Sequence, residues 1–368
     1  MIYFDHNATT PVDEQVVEAM QPYLHSMFGN PSSLYRLGRI ARSAIDTARE
    51  QLAALVDCEP GQIIFTSGGS EANLLALANV GNSGFISSIE HPSVVENTRR
   101  AQQRIGILEV DDCGLIKQSA LTQANLQAGD FVSIMLANNE TGVIQDIAEI
   151  AAELVAAGVI VHSDAVQALA KMPLSFKKLG IHLMSLSSHK IYGPKGCGAL
   201  VVAKDLPIQA VQHGGGQEFG FRGGTENVAA IVGFGKAAEI AANQLTARIT
   251  KLTALRLSLE QQLKTIPGLV IFAEHAHRLA NTVQFGINGS QGEMLLMQMD
   301  KLNIAVSSGS ACAAGSGEIS PVLAAMGVPA ELAKAAIRVS LGKDNNEQEV
   351  NEFVEALKSQ LNIDKNGD

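Results

Sequence analysis

At 368 residues, with 46% hydrophobic but only 4% aromatic side chains and no tryptophan, the chain is long enough for about two domains with aliphatic cores. Its 27 basic and 37 acidic side chains give a formal charge of −10 with no Lys/Arg block, which argues against direct nucleic-acid binding or an acidic membrane as partner. Its four cysteines, Cys58, Cys113, Cys197 and Cys312, form no C-x-x-C pair, no apolar run reaches the about 18 residues of a membrane span, and "MIYFDHNATT" lacks the features of a secretory signal, so a cytoplasmic setting with free thiols is expected.

In chain order, "QIIFTS", "GFISSI", "DFVSIML", "VIVHSDA", "LMSLSSH" and "GALVVA" are short apolar runs that read as buried strands. Between them "EANLLALANV", "SVVENTRRAQQR", "DIAEIAAELVAAG" and "VQALAKMPL" have helical composition or periodicity. Strand–helix alternation predicts an α/β fold, a mostly parallel sheet with helices on both faces. Ligands of such sheets bind beyond the carboxyl ends of the strands. After about residue 245 the texture changes. "QLTARITKLTALRLSLEQQLKTI" reads as a long amphipathic helix, followed by the short strands "NTVQFGI", "IAVSSGS" and "AAIRVSLG" and the helix "EQEVNEFVEALKSQL". A large domain over 16–245 and a smaller α+β domain over 1–15 and 246–368 are expected, with "NIDKNGD" frayed.

Three stretches could carry chemistry. "FTSGGSEANLLAL" is a strand, a Gly/Ser turn and a helix start, which suits one phosphate or, equally, a plain serine cap. "VIVHSDAVQAL" puts Asp164 just past a strand, as a ligand-edge carboxylate or as another cap. "LMSLSSHKIYGPKGCGAL" delivers Lys190 directly after a buried strand, where an amine is a candidate for imine chemistry. Together they match pyridoxal 5'-phosphate, which needs a phosphate cup, a carboxylate at its pyridinium nitrogen and a lysine at its aldehyde. His91, in "SIEHPSV", is placed to stack on the ring. His275 and His277 in "AEHAHR" lack a third ligand and read as a surface loop.

Over nearly its whole length the sequence resembles the cysteine desulfurases of the class V aminotransferase group, the NifS/IscS-like branch. The segments that carry the resemblance are "YFDHNATTPV", "FGNPSS", "FTSGGSEAN", "EHPSV", "NNETGVIQD", "HSDAVQ", "SSHKIYGPKG", "HGGGQEFGFRGGTENV", "SSGSAC" and "IRVSLG". It implies the fold of type I pyridoxal-phosphate enzymes and a homodimer. It implies Lys190 at the cofactor aldehyde, Asp164 at the pyridinium nitrogen, Gln167 at the phenolic oxygen and His91 against the ring, where it would act in catalysis as a proton shuttle. Gly69, Ser70, Ser187 and His189 would bind the phosphate, joined by Thr225 from the partner subunit. Asn139 and Arg338 would hold the substrate carboxylate, Arg338 by paired hydrogen bonds.

The resemblance also gives Cys312, in "SSGSACAAGSGE", its role. A thiolate there would take sulfur from L-cysteine, leaving L-alanine, and pass the persulfide to an acceptor protein for iron–sulfur cluster assembly or another thiolation pathway. A tract of Ala, Gly and Ser buries little and restrains its backbone weakly, as a carried nucleophile requires. Cys58 and Cys113 read as incidental, and Cys197 as packing near the Lys190 turn. Some positions depart from the family pattern: Gly69-Ser70 stands where Ala-Thr is frequent, Tyr35 where His is common, and His6 where another polar residue is usual. The sequence stops soon after "LKSQL", without the extension that longer relatives use to dock a scaffold.

Overall fold

A run of apolar residues with no polar alternation is what a strand covered on both faces requires, and such runs form the centre of this molecule. The computed structural model describes residues 1–79, 83–100, 104–308 and 319–361. Its described strands are β1 (Ile2–Tyr3), β2 (Ile63–Thr66), β3 (Ser83–Ser87), β4 (Arg104–Leu108), β5 (Phe131–Ser133), β6 (Ile160–Asp164), β7 (Leu183–Ser187), β8 (Gly198–Val202), β9 (Leu269–Ile271), β10 (Thr282–Ile287), β11 (Ile304–Ala305) and β12 (Ile337–Ser340). Seven of these form one sheet in the order β2-β8-β7-β6-β5-β3-β4. β3 to β7 are parallel, and β8 runs antiparallel to both β7 and β2. β2 therefore points the same way as the parallel strands. Every residue of β2, β5, β7 and β8 is buried.

The six expected strands of this sheet are all present. β4 departs from the sequence reading, in which its first residue, Arg104, closes the helix "SVVENTRRAQQR". "VQALAKMPL" is a correction: residues 166–171 form successive turns, not a helix. Ala170 takes a left-handed φ of 57°, and Pro173 has no N–H to extend a helix ladder. The turns fold Lys171 back onto Gln167, with Nζ 2.5 Å from Oε1.

A smaller antiparallel sheet, β12-β10-β9, and the parallel pair β1-β11 lie with the second apolar core. Phe4 joins that core, so the amino-terminal strand packs with the carboxyl-terminal third of the chain. The long helix starts earlier than expected. It spans Val228–Leu263, across the expected boundary at 245, and its first half packs in the sheet's core while Leu252, Leu255, Leu259 and Leu263 pack in the second. Close approach explains the small residues of that first half: a Cβ on Gly235 would lie 2.5 Å from Ala48 Cα in the helix Arg36–Val56. Among the described residues, no helix is long and apolar enough to cross a membrane.

One buried ion pair fixes β2, the strand that leads into the Gly/Ser turn. Arg49 meets Glu218 with two hydrogen bonds of 2.9 and 2.7 Å, donates to the Ile63 carbonyl, and stacks on Phe65 and Phe219. Glu218 Oε2 also accepts from the Phe65 N–H at 2.8 Å. Removing one member of a buried pair strands the other charge. Glu218→Ala should therefore cost about 3–5 kcal/mol of stability, read as a lowered urea midpoint with an unchanged slope.

Candidate active site

The carboxyl ends of β2, β3, β6 and β7 share one edge of the sheet, and Gly69, Ser70, His91, Asp164, Ser187, His189 and Lys190 sit there. β2 runs into Gly68, and the helix Gly69–Leu77 follows. β3 leads to His91, just before the helix Pro92–Arg100. Asp164 is the last residue of β6 and Ser187 the last of β7. A single 3-10 turn, Ser188–Lys190, then presents His189 and Lys190.

Asp164 is buried, and each of its oxygens has a donor. Oδ2 accepts from Asn73 Nδ2 at 2.7 Å and Oδ1 from the Val166 N–H at 3.0 Å. Its role as a turn-forming acceptor is therefore real, and its position at the strand end is retained with it. Lys190 Nζ donates to the carbonyls of Asn7 and Ala8, both at 2.6 Å. Gln167 Nε2 donates to the same Asn7 carbonyl at 2.9 Å. His189 Nδ1 lies 3.1 Å from Thr9 Oγ1. Burial, then the charges of Lys190, Lys195 and Lys171, push the His189 pKa down to about 4, so its ring is neutral near pH 7.

Arg338, in β12, is buried and reaches the same region from the smaller sheet. It pairs with Asp5 at 2.6 Å and donates to the Asn139 carbonyl at 3.1 Å. Cys312 lies outside the described residues. The chain on either side of it is anchored at this site. Ser307 exchanges two backbone hydrogen bonds with Arg338, and Ser320 Oγ donates to buried Glu140 at 2.6 Å. Thr225 is exposed, and no hydrogen bond joins it to the other predicted residues among those described. Cys197 is buried beside the Lys190 turn, its carbonyl accepting from Ser188 N–H. Burial raises the pKa of each described thiol, that of Cys58 to about 12. His275 and His277 are exposed, as expected of a surface loop.

The residues fit pyridoxal phosphate. A Cβ on Gly69 would come within 3.0 Å of Val166 Cγ2 and 3.5 Å of Ser187 Cβ, so the Gly/Ser turn and the end of β7 face each other as a cradle that a larger side chain would crowd. Helix N–H groups and the Ser70 and Ser187 hydroxyls supply anion donors. Asp164 suits a protonated ring nitrogen, and Lys190 offers an amine at the end of the next strand.

Five further residues were quoted in the sequence motifs without a role. Asn7 contacts both lysines of the site, its carbonyl accepting from Lys190 and its Oδ1 from Lys171 at 2.8 Å. Asn73 and Ser93 link Asp164 to His91. Lys171 is half-buried, and desolvation followed by the charges of Lys190 and Arg338 drives its pKa far down. Glu90 accepts from Ser87 Oγ and Met135 N–H, both at 2.6 Å. Asn7 and Asn73 stood beside stronger signals, and no local pattern marks a contact made across the fold. His6 is buried between the rings of Tyr3 and Tyr192, whereas Tyr35 is exposed.

The family model described as Aminotransferase class-V matches residues 2–353. "Cysteine desulfurase IscS" of Dictyoglomus turgidum (strain DSM 6724 / Z-1310) is 39% identical over 97% of this chain and 93% of its own. The X-ray structure of a NifS-like protein from Rickettsia africae ESF-5 superposes with a TM-score of 0.92 at 36% identity, covering 98% of this chain and 99% of that one. A structure of SspA in complex with cysteine gives a TM-score of 0.81 at 30% identity, covering 93% and 99%.

Glu90 provides a test of the site's electrostatics. Burial raises its pKa to about 8, so the folded protein keeps a proton there that the unfolded chain gives up above its ordinary carboxylate pKa. Between those two values the folded state binds more protons, and stability falls as pH rises. Glu90→Gln should flatten that fall between about pH 5 and 8, measured as urea midpoints across pH. A slope unchanged by the substitution would assign the loss to other groups.

Proposed function

The chain belongs to the class V aminotransferases and, within them, to the cysteine desulfurases, and from that membership we propose how its own residues carry out the reaction. The substrate is L-cysteine, and the products are L-alanine and a persulfide on Cys312. The observation that carries this reading is the placement of Asp164 and Lys190 at the carboxyl ends of adjacent strands, beside the cradle of Gly69 and Ser187.

Pyridoxal phosphate is the cofactor, and when bound it supplies an aldehyde for an amine and a ring that accepts the electrons left by a departing α-proton. Gly69, Ser70, Ser187 and His189 hold its phosphate. Asp164, oriented by Asn73 and the Val166 N–H, keeps the ring nitrogen protonated. Gln167 would lie at the phenolic oxygen, and Lys190 would offer its amine to the aldehyde and serve as the carrier of the α-proton. Arg338 and Asn139 hold the substrate carboxylate, and Cys312 attacks the substrate's sulfur as a thiolate. That attack forms the S–S bond as the substrate C–S bond breaks, and its electron pair stays with the carbon fragment that becomes alanine. The raised pKa values of the described thiols favour none of them as a rival nucleophile.

The exposure of Thr225 supports a homodimer in which it completes the partner's phosphate site. Two of the apolar clusters, one around the large sheet and one around β10 and β12, support a large domain over 16–245 and a smaller one over 1–15 and 246–368, joined through the long helix. The acceptor of the sulfur is a protein of iron–sulfur cluster assembly or of another thiolation pathway.

The decisive assay incubates purified protein with L-cysteine and measures alanine and protein-bound sulfur together. Equal amounts in a single turnover are expected, and alanine without bound sulfur would exclude the reading. Lys190→Ala should lose the yellow absorbance and all turnover. Cys312→Ser keeps a side chain of similar size but no thiolate near neutral pH. It should bind cofactor and L-cysteine normally, yield no persulfide by intact mass, and lose alanine release by on the order of 10³-fold. Wild-type turnover in that variant would instead mark an aminotransferase-like enzyme.

A further inference from the structure

A continuous hydrogen-bonded chain runs from the end of β6 to the ring of His91. Asn73 Nδ2 donates to Asp164 Oδ2 at 2.7 Å and to Ser93 Oγ at 2.9 Å. Ser93 Oγ in turn lies 2.7 Å from His91 Nδ1. The Ser93 backbone N–H donates to that same Nδ1 at 3.1 Å. Asn73 is buried in the helix Gly69–Leu77, and Ser93 stands in the first turn of the helix Pro92–Arg100.

The direction of each bond follows from counting protons. An amide nitrogen has two, and here both are used, one on the carboxylate and one on the hydroxyl. A hydroxyl has one, and Ser93 Oγ, already accepting from Asn73, can direct it to His91. A backbone N–H has no lone pair to offer, so an imidazole hydrogen on Nδ1 would face it proton to proton. Two donors from one residue therefore converge on a ring nitrogen that must be bare.

We infer that Ser93, oriented by Asn73, holds His91 as a neutral imidazole with its proton on Nε2 and its basic nitrogen closed. Ser93 and Asn73 are positioning residues for this ring. The proposal rests on the reading of His91 as the cofactor-facing ring for its use in the reaction. It restricts that use: in the resting protein His91 stacks and donates from Nε2, and the α-proton is left to Lys190. The charged surroundings point the same way. Burial and the Lys190 charge disfavour the imidazolium, and Asp164 alone opposes them. Neighbouring Glu90, held protonated by its own burial, adds little pull on a second proton near neutral pH.

The test reads the ring directly. The full chain is labelled with ¹⁵N-histidine, and His91 is assigned through His91→Gln. Nitrogen shifts are then recorded near neutral pH, both without cofactor and with it. An unprotonated Nδ1 beside a protonated Nε2 is expected. A proton on Nδ1, or a cationic ring, would overturn the proposal. Ser93→Ala leaves only the main-chain donor, so the cationic fraction of His91 should rise about fivefold, the weight of one ordinary hydrogen bond. Ser93→Thr, which keeps the hydroxyl, should restore the wild-type spectrum. A ring unmoved by Ser93→Ala across pH, or moved equally by Ser93→Thr, would remove Ser93 from this role. Because the spectra are read without cofactor as well, their outcome is separate from that of the L-cysteine assay.

Discussion

The site depends on the bonding of one buried asparagine. Asn7 stands just beyond β1, far in sequence from every partner it has. Its N–H donates to Ser340 Oγ, and its side-chain amide to the Asn139 carbonyl and Thr282 Oγ1. Its Oδ1 accepts from Lys171 and Asn281, and its carbonyl from Gln167 and Lys190. Those partners come from β10, β12 and the segments that follow β5, β6 and β7. Buried polar groups are expensive when unpaired, so a residue with all its groups satisfied by different elements sets their mutual positions. The two sheets meet at this asparagine, which accepts from Lys190 and shares the Asn139 carbonyl with Arg338.

Around that point the charges are arranged with economy. Lys171, Lys190, His189 and Arg338 crowd one side, and burial keeps His189 neutral and Lys171 far below its ordinary pKa. These four basic side chains thus stand together without forming a dense cluster of full cations. Asp5 offsets Arg338, and Asp164 stands apart at the end of β6, tied to neutral donors.

Much of this was legible in the sequence because parallel strands have a simple signature. Continuous burial makes β2, β5, β6 and β7 apolar runs, and the residues just past them inherit the ligand edge. Asp164, Lys190 and the Gly/Ser turn were visible for that reason. The turn at 166–171 was not, since Ala, Leu and Lys favour helix locally and only Pro173 warned otherwise. β4 was hidden because its strand starts inside what reads as a polar helix, at the sheet's edge. The domain helix began earlier than its amphipathic part, because its first half is apolar on nearly every side and carries no period. Asn7, Asn73 and Ser93 act through contacts between distant segments, and a linear pattern holds no trace of such geometry.

The anchoring of Ser307 and Ser320 bounds the reach of Cys312. Cys312 stands four residues past Ser308, so covalent geometry alone keeps its Cα within about 14 Å of that point. The Ser307–Arg338 bridge ties that leash to β12. A thiol tethered in this way travels on a radius set by chain length, measured from the strand that carries Arg338.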